Sequence, residues 1–149
     1  MMQIWVDADA VPNVIKEILF RTADREKINI TFIANRLIKL SSSPYLKCLQ
    51  VLQGFDEADN KIVDKVNMGD LVITSDIPLA SDVLHKGGKV LNPWGYFYDL
   101  GTIEAQLTMR DFNETMRSSG LQTGGPNPMT QKERQLFANL LDTWLRKLG

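Results

Sequence analysis

Short β-branched runs alternate with longer stretches of helical period along most of this chain. Ile4, Trp5 and Val6 form the first apolar run. Val14, Ile15, Ile18 and Leu19 then recur at i, i+1, i+4 and i+5, one stripe of a helix whose Pro12 suits its first turn. Ile28 to Ala34 alternates as a second strand, and Leu46 to Leu52 supplies a third, with Gly54 marking the turn after it. Ile62 to Val66 carries the apolar positions of a second helix. The run DLVIT, Asp70 to Thr74, is a fourth strand, Pro78 to Lys86 a third helix stopped by Gly87 and Gly88, and Lys89 to Leu91 a fifth strand. This alternation predicts an α/β fold of three layers: a parallel five-stranded sheet with helices on both faces.

Beyond Pro93 the pattern changes. Asn92 to Thr102 reads as a polar and aromatic loop, and Ile103 to Arg117 as a moderately periodic helix. SGLQTGGPNPMTQ reads as a glycine and proline loop. Leu136, Phe137, Leu140, Leu141, Trp144, Leu145 and Leu148 then recur at helical spacing, so a final helix is expected to dock on the body through that face. Residues 1–93 thus form the sheet core and 103–149 extra C-terminal helices of one domain. A chain of 149 residues, 44% apolar, is long enough for one core and too short for two ordinary domains.

Charge narrows the classes of partner. Lys and Arg number 17 against 18 Asp and Glu, a net charge of -1, so no basic tail announces a polyanion; RNA, if bound, must be met locally. The single Cys48 excludes a disulfide framework and a cysteine metal cluster, which fits a reducing compartment. The first residues lack the regions of a signal peptide, and no apolar run approaches the roughly 18 residues of a membrane span. The expectation is a cytoplasmic protein without membrane contact. GxGxxG and GxxxxGK[ST] runs are absent, so dinucleotide binding and P-loop chemistry are set aside.

The acids stand at particular joints. In a parallel sheet the strand carboxyl ends form one rim, where ligands bind at the reversal of strand order. Asp7 and Asp9 leave the first strand there, Asp76 leaves the fourth, and Asp82 follows within two helical turns. Asp56 and Asp59 come just after the third strand at i, i+3. Each alone has a plainer reading as a helix cap or a solvated charge, and Asp64 and Asp70 are read that way. Concurrence shifts the balance: strands one and four are neighbours in the common doubly wound orders, so like charges would crowd unless a cation lies between them. Oxygen ligands without histidine or thiolate favour Mg²⁺ or Mn²⁺ over zinc.

The runs DADAVPNVIKEI, FIANR, VLQGFDEADNKIV, DLVITSDIPLASDVLHKGGKVLNPWG and TGGPNP resemble the YaiI/YqxD family of bacterial proteins, whose domain is similar to the PIN-like nucleases. The resemblance covers nearly the whole chain, with its motifs in order. It implies a PIN-like fold and a metal-dependent ribonuclease role in which Asp7, Asp59 and Asp76 are catalytic, with Asp9, Asp56 and Asp82 as further metal ligands. Two positions depart from the family pattern: Val11 stands where a cysteine is common, and Asn60 where another acid is frequent.

In that reading the acids hold cations that orient a water and neutralise charge on a phosphodiester in hydrolysis, and no histidine base is needed. The lone His85 falls in a helix and reads as structural. Substrate phosphates need other donors: Arg36 and Lys39 follow the second strand at the same rim, and Thr123, Gly124 and Gly125 of the TGGP loop offer backbone N–H groups. Trp94, Tyr96, Phe97 and Tyr98 could stack bases or lie buried under the C-terminal helices. Two rival readings remain. DADAV also fits the D-x-D-x-V opening of haloacid-dehalogenase-like phosphatases, with Asp7 as nucleophile and Ser75 and Lys86 or Lys89 in support, although no late acidic pair follows strand five. Alternatively, the acids hold a structural cation or a basic partner in a non-catalytic module.

Overall fold

The computed structural model describes residues 2–36, 38–51, 62–103, 105, 107 and 129–148. Its centre is β1 (Ile4–Asp7), buried throughout and paired in parallel with both β2 (Ile30–Ala34) and β4 (Leu71–Ile73). β3 (Leu46–Gln50) adds outside β2, and β5 (Lys89–Asn92) adds in parallel outside β4. The fold is a mixed α/β structure whose sheet order is β3-β2-β1-β4-β5-β6. Strand order reverses between β1 and β4, the position at whose carboxyl ends such sheets open a crevice.

β6 (Tyr96–Phe97) adds a sixth strand, antiparallel to β5, and corrects the loop expected for that segment. Pro93 and Gly95 there form the tight turn of a hairpin. Gly95 has φ 99°, and a Cβ on it would meet Leu136 Cβ at 2.7 Å and Phe137 N at 3.2 Å. Only glycine satisfies both the left-handed backbone and the close approach of the last helix.

Alternation along the strands builds a core on each face of the sheet. Ile4, Val6, Ile30, Phe32, Leu71, Ile73 and Leu91 pack with α1 (Asn13–Glu26) and the C-terminal helix α3 (Gln131–Leu148). Trp5, Ile33, Val72 and Val90 face the other way, against α2 (Ile77–His85) and Ile62 of the helical residues 62–65. The C-terminal helix docks as its periodicity predicts, through Phe137, Leu141 and Trp144, while Leu136 of the same predicted stripe is 42% exposed. Thr130 and Glu133 close its start reciprocally: Glu133 Oε1 accepts the Thr130 N–H at 2.9 Å, and Thr130 Oγ accepts the Glu133 N–H at 3.2 Å.

The second strand begins at Ile30, not Ile28. Lys27 ends α1 in the left-handed conformation at φ 53°, and the Ile28 N–H donates back to Ala23 O, so Ile28 belongs to the helix stop. At the amino-end rim Asp70 is buried and accepts from Gln3 N, Trp5 Nε1 and Asn67 N, each at 3.0 Å. It is neither a cap nor a solvated charge but a clasp between β1 and the turn before β4. Among the described residues no helix is long and apolar enough to cross a membrane.

Candidate acidic site at the carboxyl end of the sheet

Register carries two of the predicted acids to one place. Val6 pairs with Ile73, so the next residues, Asp7 and Thr74, lie side by side where the two central strands end. Thr74 Oγ donates to Asp7 Oδ2 at 2.9 Å and accepts the Asp76 N–H at 3.0 Å. Asp76 in turn caps α2, its Oδ1 accepting the Leu79 N–H at 3.1 Å. The capping reading of Asp76 is therefore correct, and it occupies only one of that carboxylate's two oxygens.

Asp7 behaves differently. It precedes the 3₁₀ turn Ala8–Ala10 but makes no side-chain cap to it. The residue as a whole is only 6% exposed. Burial is the main force pushing its pKa up to about 6; the Thr74 hydroxyl opposes this, and the charges of Asp76 and Asp9 add to it. Asp9 is exposed on the 3₁₀ turn, and its Oδ2 accepts the Asn35 N–H at 2.9 Å, tying β1's exit to the residue after β2. Three carboxylates thus act on one rim, each with one oxygen that no described donor meets.

The remaining predicted residues divide. Asp82 is exposed on α2, about 9 Å along the helix axis from Asp76 at 1.5 Å per residue. Arg36 and Lys39 are exposed on the segment after β2, Arg36 next to the Asn35 that holds Asp9. Asp56, Asp59, Thr123, Gly124 and Gly125 lie outside the described residues. Among those described, no group of three or more His, Cys, Asp or Glu side chains could hold a metal ion.

Thr74 is the residue that sequence reasoning overlooked: a threonine closing an apolar strand reads as a β-former, and only its neighbours Asp7 and Asp76 signal another use. Asn92 is the second. Buried at the end of β5, it donates through Nδ2 to Tyr98 Oη at 2.8 Å and Tyr96 Oη at 3.0 Å, while its Oδ1 accepts the Trp94 N–H at 2.7 Å. Tyr98 is buried, as one of the two readings held, and Tyr96 and Phe97 are exposed. Burial first, then Tyr96, raises the Tyr98 pKa; the Asp76 charge contributes, which puts this phenol within electrostatic range of the acidic rim.

A family model described as "Uncharacterized BCR, YaiI/YqxD family" matches residues 5–147, a span that includes every residue of this rim. The chain belongs to the YaiI/YqxD family. It is 60% identical to a UPF0178 protein of Proteus mirabilis over 97% of this chain and 95% of that one. A UPF0178 protein of Pectobacterium atrosepticum is 58% identical over 99% and 98% of the two chains. A UPF0178 protein of Shewanella amazonensis is 55% identical over 99% of each. No solved structure matches the chain. Val11, where the family resemblance led to the expectation of a cysteine, is a buried core residue.

Proposed function

We propose that the protein is a PIN-like, divalent-cation-dependent nuclease that hydrolyses phosphodiester bonds in RNA. One observation carries the reading: the Asp7 carboxylate is buried at the strand-order reversal, is no helix cap, and meets two further acids there without a basic side chain among its described partners. A fold keeps such a group where its charged form is needed against a cation. The donor set is all oxygen, which suits Mg²⁺ or Mn²⁺. Asp7 and Asp76 would hold the ion only together with Asp56 and Asp59, which lie outside the described residues, with Asp59 nearest the chemistry and Asp9 adding negative charge beside them. Bound there, the ion supplies positive charge to the phosphoryl group and Lewis acidity to water.

The chain's own residues do the positioning. Thr74 fixes the rotamer of Asp7, the Leu79 N–H fixes Asp76, and the Asn35 N–H fixes Asp9. Arg36 and Lys39, exposed beside that last contact, would meet substrate phosphates. The exposed rings of Tyr96 and Phe97 are available for stacking unpaired bases, which favours single-stranded RNA. The reading places the protein in the cytoplasm. The covalent phosphatase reading finds less support: Lys86 donates to the Val63 backbone carbonyl, and Lys89 opens β5 at the amino-end rim, across the sheet from Asp7.

Calorimetric titration with Mn²⁺ tests the reading, followed by RNA hydrolysis with and without EDTA. Binding lost in Asp76→Asn, and RNA cleavage lost in Asp7→Asn and with EDTA, are the expected results. Binding without cleavage of any RNA would leave a structural cation. Cleavage that survives EDTA, or a wild type that binds no Mn²⁺ even with RNA present, would overturn the proposal.

A further inference from the structure

The helices α1 and α3 share one face of the sheet but do not close against each other along their whole length. Arg25 Nη2 on α1 donates to Asp142 Oδ1 on α3 at 2.8 Å, and Arg25 Nε donates to Glu26 Oε1 at 3.0 Å. Between the helices lies a cavity of about 420 Å³ lined by Glu17, Arg21 and Arg25 of α1 and by Arg134, Gln135 and Asp142 of α3. The sequence offset that pairs Arg25 with Asp142, 117 residues, also sets Glu17 level with Arg134. Yet no ion pair joins those two, and Arg134 Nε is shut off from solvent with no acceptor among the described residues.

We propose that this cleft is an oxyanion site that takes a phosphate group on Arg134 and Arg21. A buried guanidinium N–H without an acceptor is costly, and buried donors in native proteins are nearly always met. With Arg25 committed to Asp142 and Glu26, two arginines face one carboxylate, Glu17, so the uncommitted charge of the cleft is positive. The guanidinium fork accommodates two oxygens of a phosphate at once. The volume lies in the range of small-ligand sites, enough for one phosphate of an RNA backbone or a free nucleotide. None of the acids of the β1–β4 crevice lines the cleft, so the inference does not rest on the nuclease reading.

The test uses the ¹⁵N-labelled full chain in EDTA, with inorganic phosphate, uridine monophosphate and a short single-stranded RNA as separate probes. The readout is the Arg134 Nε–H resonance, assigned by its loss in Arg134→Gln. Phosphate should move that resonance saturably, and Arg21→Gln should weaken binding about tenfold, while Lys147→Gln, at an exposed position outside the cleft, leaves it unchanged. Arg21 is itself exposed, so its replacement leaves the fold intact even where Arg134→Gln does not. RNA acting at lower concentration than the mononucleotide identifies a nucleic-acid backbone as the ligand; the reverse order identifies a free nucleotide. A resonance unmoved by all three probes, or binding indifferent to Arg21→Gln, would overturn the proposal.

Discussion

Thr74 Oγ donates to Asp7 Oδ2 across 2.9 Å, and the same oxygen accepts the Asp76 N–H at 3.0 Å. One neutral side chain at the end of β4 therefore links two acids on either side of the β1–β4 crevice. It offsets part of the cost of burying Asp7 and leaves the rest standing, which makes Asp7 a charge that the fold tolerates and does not need.

Replacing Asp7 should stabilise the protein at neutral pH and above. Its pKa is raised from 3.8 to about 6, so the folded state holds this proton more tightly than the unfolded chain does. The group's contribution to stability is complete below about pH 3.8 and is lost as pH rises through about 6. Asp7→Asn keeps an oxygen for Thr74 and never ionises. It is expected to gain up to about 3 kcal/mol over wild type near pH 8 and little near pH 4. Urea unfolding across that range measures the difference; a variant less stable at both ends would mean that the charged carboxylate supports the fold.

Thr74→Val removes the hydroxyl that favours ionised Asp7, so the Asp7 pKa should climb further. The loss of stability is expected to be about 1.5–3 kcal/mol near pH 8, where Asp7 is charged, and smaller near pH 4. In the Asp7→Asn background the penalty should shrink, since the remaining contact is neutral. Equal penalties in both backgrounds would show that Thr74 acts through packing alone.

The parts of the fold with a strong period were legible in the chain. β1, β4 and α1 stand within a few residues of their expected places because continuous apolar runs and a helical stripe leave little choice. β6 was not legible, since a two-residue strand carries no period of its own and its pairing with β5 is a tertiary contact. Lys27 hid the end of α1 because a left-handed stop usually shows itself as glycine. At the site, Asp7, Asp9 and Asp76 were visible as acids interrupting strand exits. Thr74 was not, because its contact with Asp7 spans 67 residues and exists only once β1 and β4 pair. Asp70 shows the opposite error: an ordinary acid before a strand proves to be the buried clasp on Trp5.

That clasp should matter to stability far more than its sequence setting suggests. Asp70→Asn turns one accepting oxygen into an N–H donor facing the donors Gln3 N, Trp5 Nε1 or Asn67 N. A loss of about 1–3 kcal/mol is expected, together with a changed Trp5 indole resonance. Unfolding within a few tenths of a kcal/mol of wild type would mean that water replaces the lost acceptor.

Protons and a divalent cation compete for Asp7 if the proposed site is real. Ligand carboxylates must be ionised, so Mn²⁺ affinity should tighten about tenfold per pH unit below about 6 and level off above it, with close to one proton released per ion in the acidic range. Calorimetry in buffers of different ionisation enthalpy counts those protons. Asp9→Asn removes one of the two like charges that raise the Asp7 pKa, so it should move the midpoint of the pH profile downward. Mn²⁺ affinity that stays flat across this range would take Asp7 out of the ligand set.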